Sequence, residues 1–403
     1  MNIFKGKRLL LGVTGSIAAY KAVDLASKLT QLGLEVDTIL TRAAAEFVSP
    51  LTFQSVTGRR AYTDRDLWGA EGHVLHIGLG KDIDLALLAP ATANTMAALV
   101  AGDADNLLTL TLLASEAPLM LAPAMDGGMF AHPATQSNLA ALKERGVEIV
   151  GPQSGHLASG LSGVGRMVEP QDLVGYVRRA LGRKGPLAGR KVVVSAGGTH
   201  EAIDPVRVIA NRSSGKQGYA LAQAALDLGA EVTLVSGPTA LPAPLGLELI
   251  SVQTACEMET AVLEATQAAD ALLMAAAVAD FRPAQSAESK LKRAKGVPTI
   301  ELAANPDILK AVAERRAQSG YPKVLVGFAA ESDDLVKNAQ AKVQAKGLDL
   351  LAANDISAPD AGFEVDTNRV LLLDKEGGQQ QLELMSKDDV ARAILQRLIA
   401  LLQ

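Results

Sequence analysis

The sequence predicts an α/β fold built twice in one chain, and three observations carry that prediction. The run Leu9–Leu29, LLLGVTGSIAAYKAVDLASKL, feeds an apolar strand into a glycine turn and then a helix. VVVSAGGTHEAIDP, Val192–Pro205, begins the same way almost halfway along the 403 residues. Between them GRKGPLAGRK, residues 182–191, carries three glycines, a proline and basic residues, the composition of a surface linker. We therefore place one domain at 1–182, a linker at 183–190 and a second domain at 191–403, consistent with about 100–200 residues per domain.

In the first domain, Leu9–Val13 is a continuous apolar run, as expected of a strand buried on both faces. Ala22, Leu25, Ala26, Leu29 and Leu32 recur at helical spacing behind it. Strands follow at 35–41, 84–90 and 117–125, and GVEIVGP at 146–152 closes the sheet. Gly151–Met167 carries five glycines and reads as a long mobile loop, with a helix after it at about 170–182. The second domain repeats the style without repeating the sequence. It has a strand at 191–195, a helix at about 217–228, a strand at 231–236 and a helix at 255–268 opened by the capping box Thr254-x-x-Glu257. A strand follows at 271–277, then a helix opened by Asn305 as N-cap with Pro306 in the first turn. Strands at 323–328, 348–352 and 369–374 precede a last helix, capped by Ser386-x-x-Asp389, with Val390, Ile394, Leu395 and Leu398 on one face.

Composition narrows the function. The apolar fraction of 48% supports sizeable cores, and the net charge of −5 offers no footprint for nucleic acid. One cysteine, Cys256, excludes an internal disulfide and fits a reducing, cytoplasmic setting. The basic N-terminus precedes an apolar run too short for a signal peptide. The longest uncharged stretch, Leu85–Gly102, is interrupted by Pro90, Thr92, Asn94 and Thr95, so it reads as strand, loop and helix start rather than a membrane span.

Gly12-Val-Thr-Gly15-Ser16 lies between a strand and a helix, where backbone N–H groups and the helix dipole favour a phosphate. The bland alternative is a tight turn and nothing more. The spacing is not G-x-G-x-x-G, and no G-x-x-x-x-G-K-[ST] occurs, which counts against a nicotinamide dehydrogenase or a P-loop NTPase.

Taken in order, GVTGSIAAYK, LHIGLGKDIDLALLAPATANT, AGDADNLLT, APAMDGGM and SGHLASGLSGVGRM resemble the flavin mononucleotide (FMN)-dependent cysteine decarboxylases. AGGTHEAIDPVRVIANRSSGKQG, AAAVADF, SKLKR, NPDIL and GFAAES are similar to phosphopantothenate–cysteine ligase. Both halves in this order resemble the bacterial bifunctional phosphopantothenoylcysteine decarboxylase/phosphopantothenate–cysteine ligase family of coenzyme A biosynthesis, over essentially the whole chain. The resemblance implies an N-terminal flavodoxin-like three-layer domain and a C-terminal Rossmann-like ligase domain. It implies small-molecule substrates (4'-phosphopantothenate, cysteine and CTP) and a dodecamer of decarboxylase trimers joined through ligase dimers. A non-catalytic flavoprotein-like regulatory subunit is the rival reading; His76 and the complete ligase half argue against it.

In the decarboxylase half the resemblance makes His76 the catalytic histidine that assists thiol oxidation. It gives Gly15, Ser16, Thr41, Thr92 and Asn94 to the flavin and Met129 to the substrate. Loss of CO₂ from a cysteine amide leaves a carbanion without an electron sink, and oxidation of the thiol by flavin supplies one. Two positions depart from the family pattern. Asp126 stands where Asn is usual, and an ionised carboxylate would repel a substrate carboxylate. Ser159 stands where the family's proton donor is Cys, and a hydroxyl is a far weaker acid than a thiol. Either Ser159 relays a proton from another group or another residue donates, with His156 as a candidate.

In the ligase half a carboxylate has to be activated before an amine can attack it, and transfer to the α-phosphate of CTP does this. Such a site needs cations, Mg²⁺ and fixed donors. Met274, Ala275, Ala276, Asp280, Lys290, Pro306, Asp307, Ile308, Leu309, Phe328, Lys342 and Lys346 match the nucleotide positions, with Asp280 also the metal candidate. Asn211 matches the residue that handles the acyl-cytidylate, Lys290 is assigned a catalytic role and Arg207 contacts substrate. Lys342 and Lys346 share a helical face, which by itself also suits an ordinary solvated surface.

Overall fold

The computed structural model of the chain describes residues 2–68, 74–292, 297–331, 335–355 and 365–403. It forms two compact units, Met1–Leu181 and Gly182–Gln403.

The strands of the first unit are β1 (Arg8–Val13), β2 (Glu35–Leu40), β3 (Ala61–Tyr62), β4 (Leu85–Ala91), β5 (Leu119–Pro123), β6 (Glu148–Ile149), β7 (Gln153–His156) and β8 (Ser162–Arg166). Its helices are α1 (Ala19–Gln31), α2 (Arg42–Ala45), α3 (Pro50–Thr57), α4 (Leu75–Gly80), α5 (Ala93–Ala101), α6 (Leu107–Leu113), α7 (Gly127–Ala131), α8 (Pro133–Glu144) and α9 (Pro170–Gly182). The first six strands form one parallel sheet in the order β3-β2-β1-β4-β5-β6. Leu9 and Leu11 pack with Leu25 of α1, Phe53 of α3 and Val177 of α9. Leu10 faces the other way and packs with Met96 of α5, Leu108 of α6 and Leu139 of α8. Both faces of β1 are therefore covered, which is why it reads as an unbroken apolar run. The three-layer α/β expectation holds, and the switch point of this doubly wound sheet lies between β1 and β4.

The second unit has strands β9 (Lys191–Ala196), β10 (His200–Ala202), β11 (Val208–Ala210), β12 (Glu231–Ser236), β13 (Glu248–Ser251), β14 (Ala271–Met274), β15 (Phe281–Pro283), β16 (Leu302–Ala304), β17 (Val324–Glu331), β18 (Leu350–Asp355), β19 (Thr367–Asp374) and β20 (Gln379–Ser386). Its helices are α10 (Lys216–Asp227), α11 (Ala255–Ala265), α12 (Ile308–Ser319), α13 (Leu335–Lys346) and α14 (Lys387–Leu401). The eight-stranded sheet runs β13-β12-β9-β14-β17-β18-β19-β20, parallel as far as β18 and antiparallel beyond it. Val192 and Val194 pack with α10 and α14, whereas Val193 packs with α11 and α12. The β10–β11 and β15–β16 ribbons are separate antiparallel pairs.

Two local readings are corrected. Gly151–Met167 is not an irregular loop: β7 and β8 pair as an antiparallel hairpin, with His156 opposite Ser162 and Gly155 opposite Gly163. Its glycines hid the strands, and what makes room for them is docking, because a Cβ on Gly165 would stand 2.1 Å from Met125 O. Nor does Asn305 cap α12. Asp307 does, accepting Lys310 N–H at 3.1 Å. The Asn305 amide is used elsewhere, donating to Ala279 O at 2.8 Å. The caps at Thr254 and Ser386 are as expected, accepting Glu257 N–H and Asp389 N–H. β20, the ribbons and β13 had no expectation in the sequence.

A carboxylate pins the opposite, N-terminal edge of each sheet at its switch point. Asp84 takes Arg8 N–H at 2.8 Å and Lys7 Nζ at 2.7 Å. Asp270 takes Lys191 N–H, Arg190 and Lys323, each at 2.9 Å. Burial alone would raise the Asp270 carboxyl, but Lys323, the Lys191 N–H and Arg190 outweigh it and hold the group below its ordinary range. A depressed folded pKa adds stability above the unfolded value of about 4 and loses it as pH falls through the folded value. Asp270→Asn should therefore cost about 1–3 kcal/mol at pH 7, and the difference from the parent should shrink on acidification below about pH 4. Urea unfolding of the full chain across pH measures both.

Candidate functional site

The C-terminal ends of β2, β1, β4 and β5 lie side by side along one edge of the first sheet, and a turn leaves each of them. Thr14, just past β1 and 1% exposed, ties this edge together. Its Oγ1 donates to Pro90 O at 2.7 Å and accepts Thr92 N–H at 3.1 Å. Gly15 follows, and a Cβ there would lie 2.5 Å from Ala43 Cβ, so the turn after β1 sits directly against α2. Ser16 Oγ accepts Ala18 N–H at 3.3 Å, and α1 starts on Ala18 without a side-chain cap. Thr41 caps α2 and Thr92 caps α5, through the N–H groups of Ala44 and Thr95. Asn94, exposed, is in the first turn of α5. The structure thus gathers Gly15, Ser16, Thr41, Thr92 and Asn94 on one edge at the switch point, where open α/β sheets bind ligands.

The turn after β5 continues the row. Ala124 N–H bonds Ala91 O at 3.1 Å. Asp126 caps α7, accepting Gly128 N–H at 2.9 Å, and receives the Ser159 hydroxyl from the hairpin tip at 2.8 Å. The Ser159 hydroxyl, and then the Gly128 N–H, hold the Asp126 carboxyl below its ordinary range. Met129 is exposed on α7, and His156 is exposed on β7. His76 is in the first turn of α4, and its Nδ1 is buried without a hydrogen-bond partner among the described residues. Thr14 was missed from the sequence; a threonine after a strand carries no signal of bridging to a segment 76 residues away.

In the second unit a cavity of about 620 Å³ opens at the corresponding edge. Its walls bring together Asn211, Met274, Ala275, Ala276, Asp280, Pro306, Asp307, Ile308, Leu309, Phe328, Lys342 and Lys346. The segment after β14 is held from two sides. Asn211 Nδ2 donates to Val278 O at 3.0 Å, and Asn305 N–H donates to Asp280 O at 2.9 Å. Ser195 Oγ accepts Ala276 N–H at 3.1 Å, and Thr199 Oγ1 accepts Ala279 N–H at 3.0 Å. Lys346 is ion-paired with Asp307. Burial would raise the Asp307 carboxyl; Lys346 and the Lys310 N–H hold it down.

Lys290 and Arg207 are not in that wall. Lys290 is exposed. The next residue, Leu291, donates its N–H to the buried Asp204 at 3.1 Å and accepts Arg207 through its carbonyl at 3.1 Å. These two positions are thus neighbours of each other rather than of the cavity. Arg293 of SKLKR and Ser332 of GFAAES lie outside the described residues. Ser213, Ser214 and Lys216 of the ligase-like run 196–218 face the same space, and the sequence reading missed Asn354, Asn368 and Lys387, which face it too. Lys387 is buried, and burial, then the Lys216 charge, push its ammonium pKa down. Four lysines and two aspartates, Asp280 and Asp307, line the cavity, with Lys216 paired to Asp366 at 2.5 Å.

Residues 3–182 match the Flavoprotein family, and residues 187–402 match the DNA/pantothenate metabolism flavoprotein C-terminal domain. The chain is 45% identical over 402 residues to the coenzyme A biosynthesis bifunctional protein CoaBC of Bacillus subtilis (strain 168), covering 99% of this chain and 98% of that one. It is 43% identical over 408 residues to the protein of that name from Mycobacterium tuberculosis (strain ATCC 25618 / H37Rv), covering 98% and 97%. Among solved structures, the C-terminal domain of a CoaBC protein is 38% identical, covers 54% of this chain and 98% of its own, and has a TM-score of 0.46.

Thr14 gives this edge a direct test. Thr14→Val leaves the buried Pro90 carbonyl and Thr92 N–H without their partner, which costs about 1–3 kcal/mol. Thr14→Ser keeps both bonds and should retain most of the stability. Urea unfolding of the two variants beside the parent measures the difference.

Proposed function

The chain belongs to the CoaBC family of bifunctional coenzyme A biosynthesis proteins, with a flavoprotein decarboxylase unit followed by a ligase unit, and we propose the substrates, cofactor and residues of each step. The second unit joins cysteine to 4'-phosphopantothenate at the expense of CTP. The first decarboxylates the resulting phosphopantothenoylcysteine to 4'-phosphopantetheine with bound FMN. The observation that carries this reading is the pairing of two different strand-edge sites in one chain. One is a row of small hydroxyls and turns, the other a lysine-lined cavity of about 620 Å³.

For the ligase, Lys342, Lys346, Lys216 and Lys387 are suited to the phosphates of CTP, since fixed cations oppose charge that grows as pyrophosphate leaves. The Ala275–Ala276 turn and Phe328 offer the nucleobase a flat, partly apolar wall. Mg²⁺ is commonly held by one or two carboxylates and the substrate phosphates, and Asp280 is the carboxylate we assign to it. We assign Asn211, whose amide holds the segment after β14 at Val278 O, to the activated acyl group. We keep Lys290 and Arg207 as groups that reach the site when the substrates bind.

For the decarboxylase, the residues fit FMN. The start of α1 lacks a side-chain cap, and Ser16, Thr41 and Thr92 border it on the same edge, a suitable setting for a phosphate. Bound flavin supplies the electron sink that carboxylate loss requires. We assign the proton-handling role to His76, whose buried Nδ1 has no hydrogen-bond partner among the described residues. Asp126 lies at the far end of the row, bonded to Ser159 at the tip of the hairpin. The assembly we assign is the family's dodecamer, in the cytoplasm.

The full chain incubated with 4'-phosphopantothenate, cysteine, CTP and Mg²⁺ should release CMP and form 4'-phosphopantetheine. Asn211→Ala should lower CMP release about 10²-fold while the protein stays yellow and still decarboxylates supplied phosphopantothenoylcysteine. Colourless protein that takes up no FMN would sink the decarboxylase assignment; loss of both activities in the variant would sink the separation of the sites.

A further inference from the structure

One polar side-chain contact joins the β7–β8 hairpin to the turn that starts α7. Ser159 Oγ donates to Asp126 Oδ2 at 2.8 Å, and Asp126 Oδ1 accepts Gly128 N–H at 2.9 Å. The contact is not what docks the hairpin. Met125 N–H bonds Gly165 O at 3.0 Å, Leu157 is buried, and Gly165 has no room for a side chain over Met125 O. What the contact fixes is the direction of a hydroxyl. A carboxylate only accepts hydrogen bonds. While Asp126 is ionised, the Ser159 hydrogen is committed to it, and the oxygen offers only lone pairs elsewhere.

Decarboxylation is redox-neutral overall: R–COO⁻ + H⁺ gives R–H + CO₂. The C–C bond breaks, its electron pair is delocalised into the sink, and a proton from the site then forms the new C–H bond. Resting on the decarboxylase reading of the first unit, we infer that Asp126 is a positioning residue that gates this proton through Ser159. With Asp126 as carboxylate, Ser159 faces a ligand as an acceptor. With Asp126 protonated, the carboxyl donates to Ser159 Oγ and the serine hydrogen turns outward. The serine proton then passes to carbon, the carboxyl proton replaces it, and Asp126 is left as carboxylate. Asp126 is half-buried, so water can return the proton.

The other titratable groups on elements packed against this turn are His156 and Arg166 of the hairpin, His132 between α7 and α8, and Lys143 and Glu144 at the far end of α8. Arg166 is paired with Glu169, and His132 Nδ1 accepts Ala134 N–H at 3.2 Å. Both bonds to the Asp126 carboxylate come from Ser159 and Gly128 instead.

The test uses the full-length, flavin-loaded protein and two readouts. The first is the titration of the Asp126 carboxyl, followed by carbon-13 NMR with and without Ser159→Ala. The hydroxyl stabilises the charged form, so its removal should move the Asp126 titration to higher pH; an unmoved titration overturns the coupling whether or not the protein decarboxylates. The second is the pH profile of phosphopantetheine formation. The parent should slow as pH rises, up to tenfold per unit where proton delivery limits turnover. Asp126→Asn keeps the helix cap, and its amide can donate to Ser159 at every pH, so this limb should flatten. Ser159→Ala should lose the limb and about 10²-fold or more of the rate. A limb unchanged in Asp126→Asn refutes the gate. A parent protein that forms no phosphopantetheine instead refutes the decarboxylase reading on which the gate rests.

Discussion

A buried hydroxyl next to the first strand of each sheet holds the backbone of the strand beyond the switch point, and both sites depend on it. In the first unit Thr14 bridges Pro90 and Thr92. In the second, Ser195 and Thr199 hold Ala276 and Ala279. The constraint behind both is the same. Where two parallel strands end side by side and their chains part, main-chain N–H and C=O groups lose their ladder partners while still out of water. An unpaired buried group costs about 1–3 kcal/mol. A short hydroxyl side chain can donate and accept at once, so it satisfies these groups without filling the crevice that a ligand needs.

The opposite edges share a second device. Asp84 and Asp270 each lie just before the strand across the switch point. Each accepts the N–H that opens or precedes the first strand's ladder, together with a basic side chain. Each sheet is thus pinned by a carboxylate at its N-terminal edge and by a hydroxyl at its C-terminal edge. The chain repeats a physical solution without repeating residues, which is why the two halves look alike in architecture and not in sequence.

From this common frame the sites diverge by what the turns carry. The first unit lines its edge with Ser16, Thr41 and Thr92, and its one charged member, Asp126, is occupied by a helix cap and a serine. The second puts lysines from α10, α13 and α14 into one cavity, where Lys346 pairs with Asp307 and Lys216 with Asp366. An edge of small hydroxyls carries little charge of its own. A lysine-lined cavity suits several phosphates, whose mutual repulsion has to be offset.

The sequence by itself determined the two α/β halves and their main strands and helices, and it named twelve of the residues that line the cavity of the second unit. Buried parallel strands read as apolar runs such as Leu9–Val13 and Val192–Val194, and caps such as Thr254 and Ser386 are local chemistry within four residues. Tertiary structure decided whatever depends on a partner distant in sequence. The glycine-rich run 151–167 is a hairpin only because it docks on Met125. Asn305 gives up its cap because Ala279 needs its amide. Lys387 enters the cavity from a helix more than 100 residues beyond Asp280. Asp126 and Ser159, each a separate departure on paper, become one hydrogen-bonded pair across 33 residues. Periodicity and capping are encoded by neighbours along the chain, whereas a hydrogen bond between two turns exists only once the sheet has set them side by side.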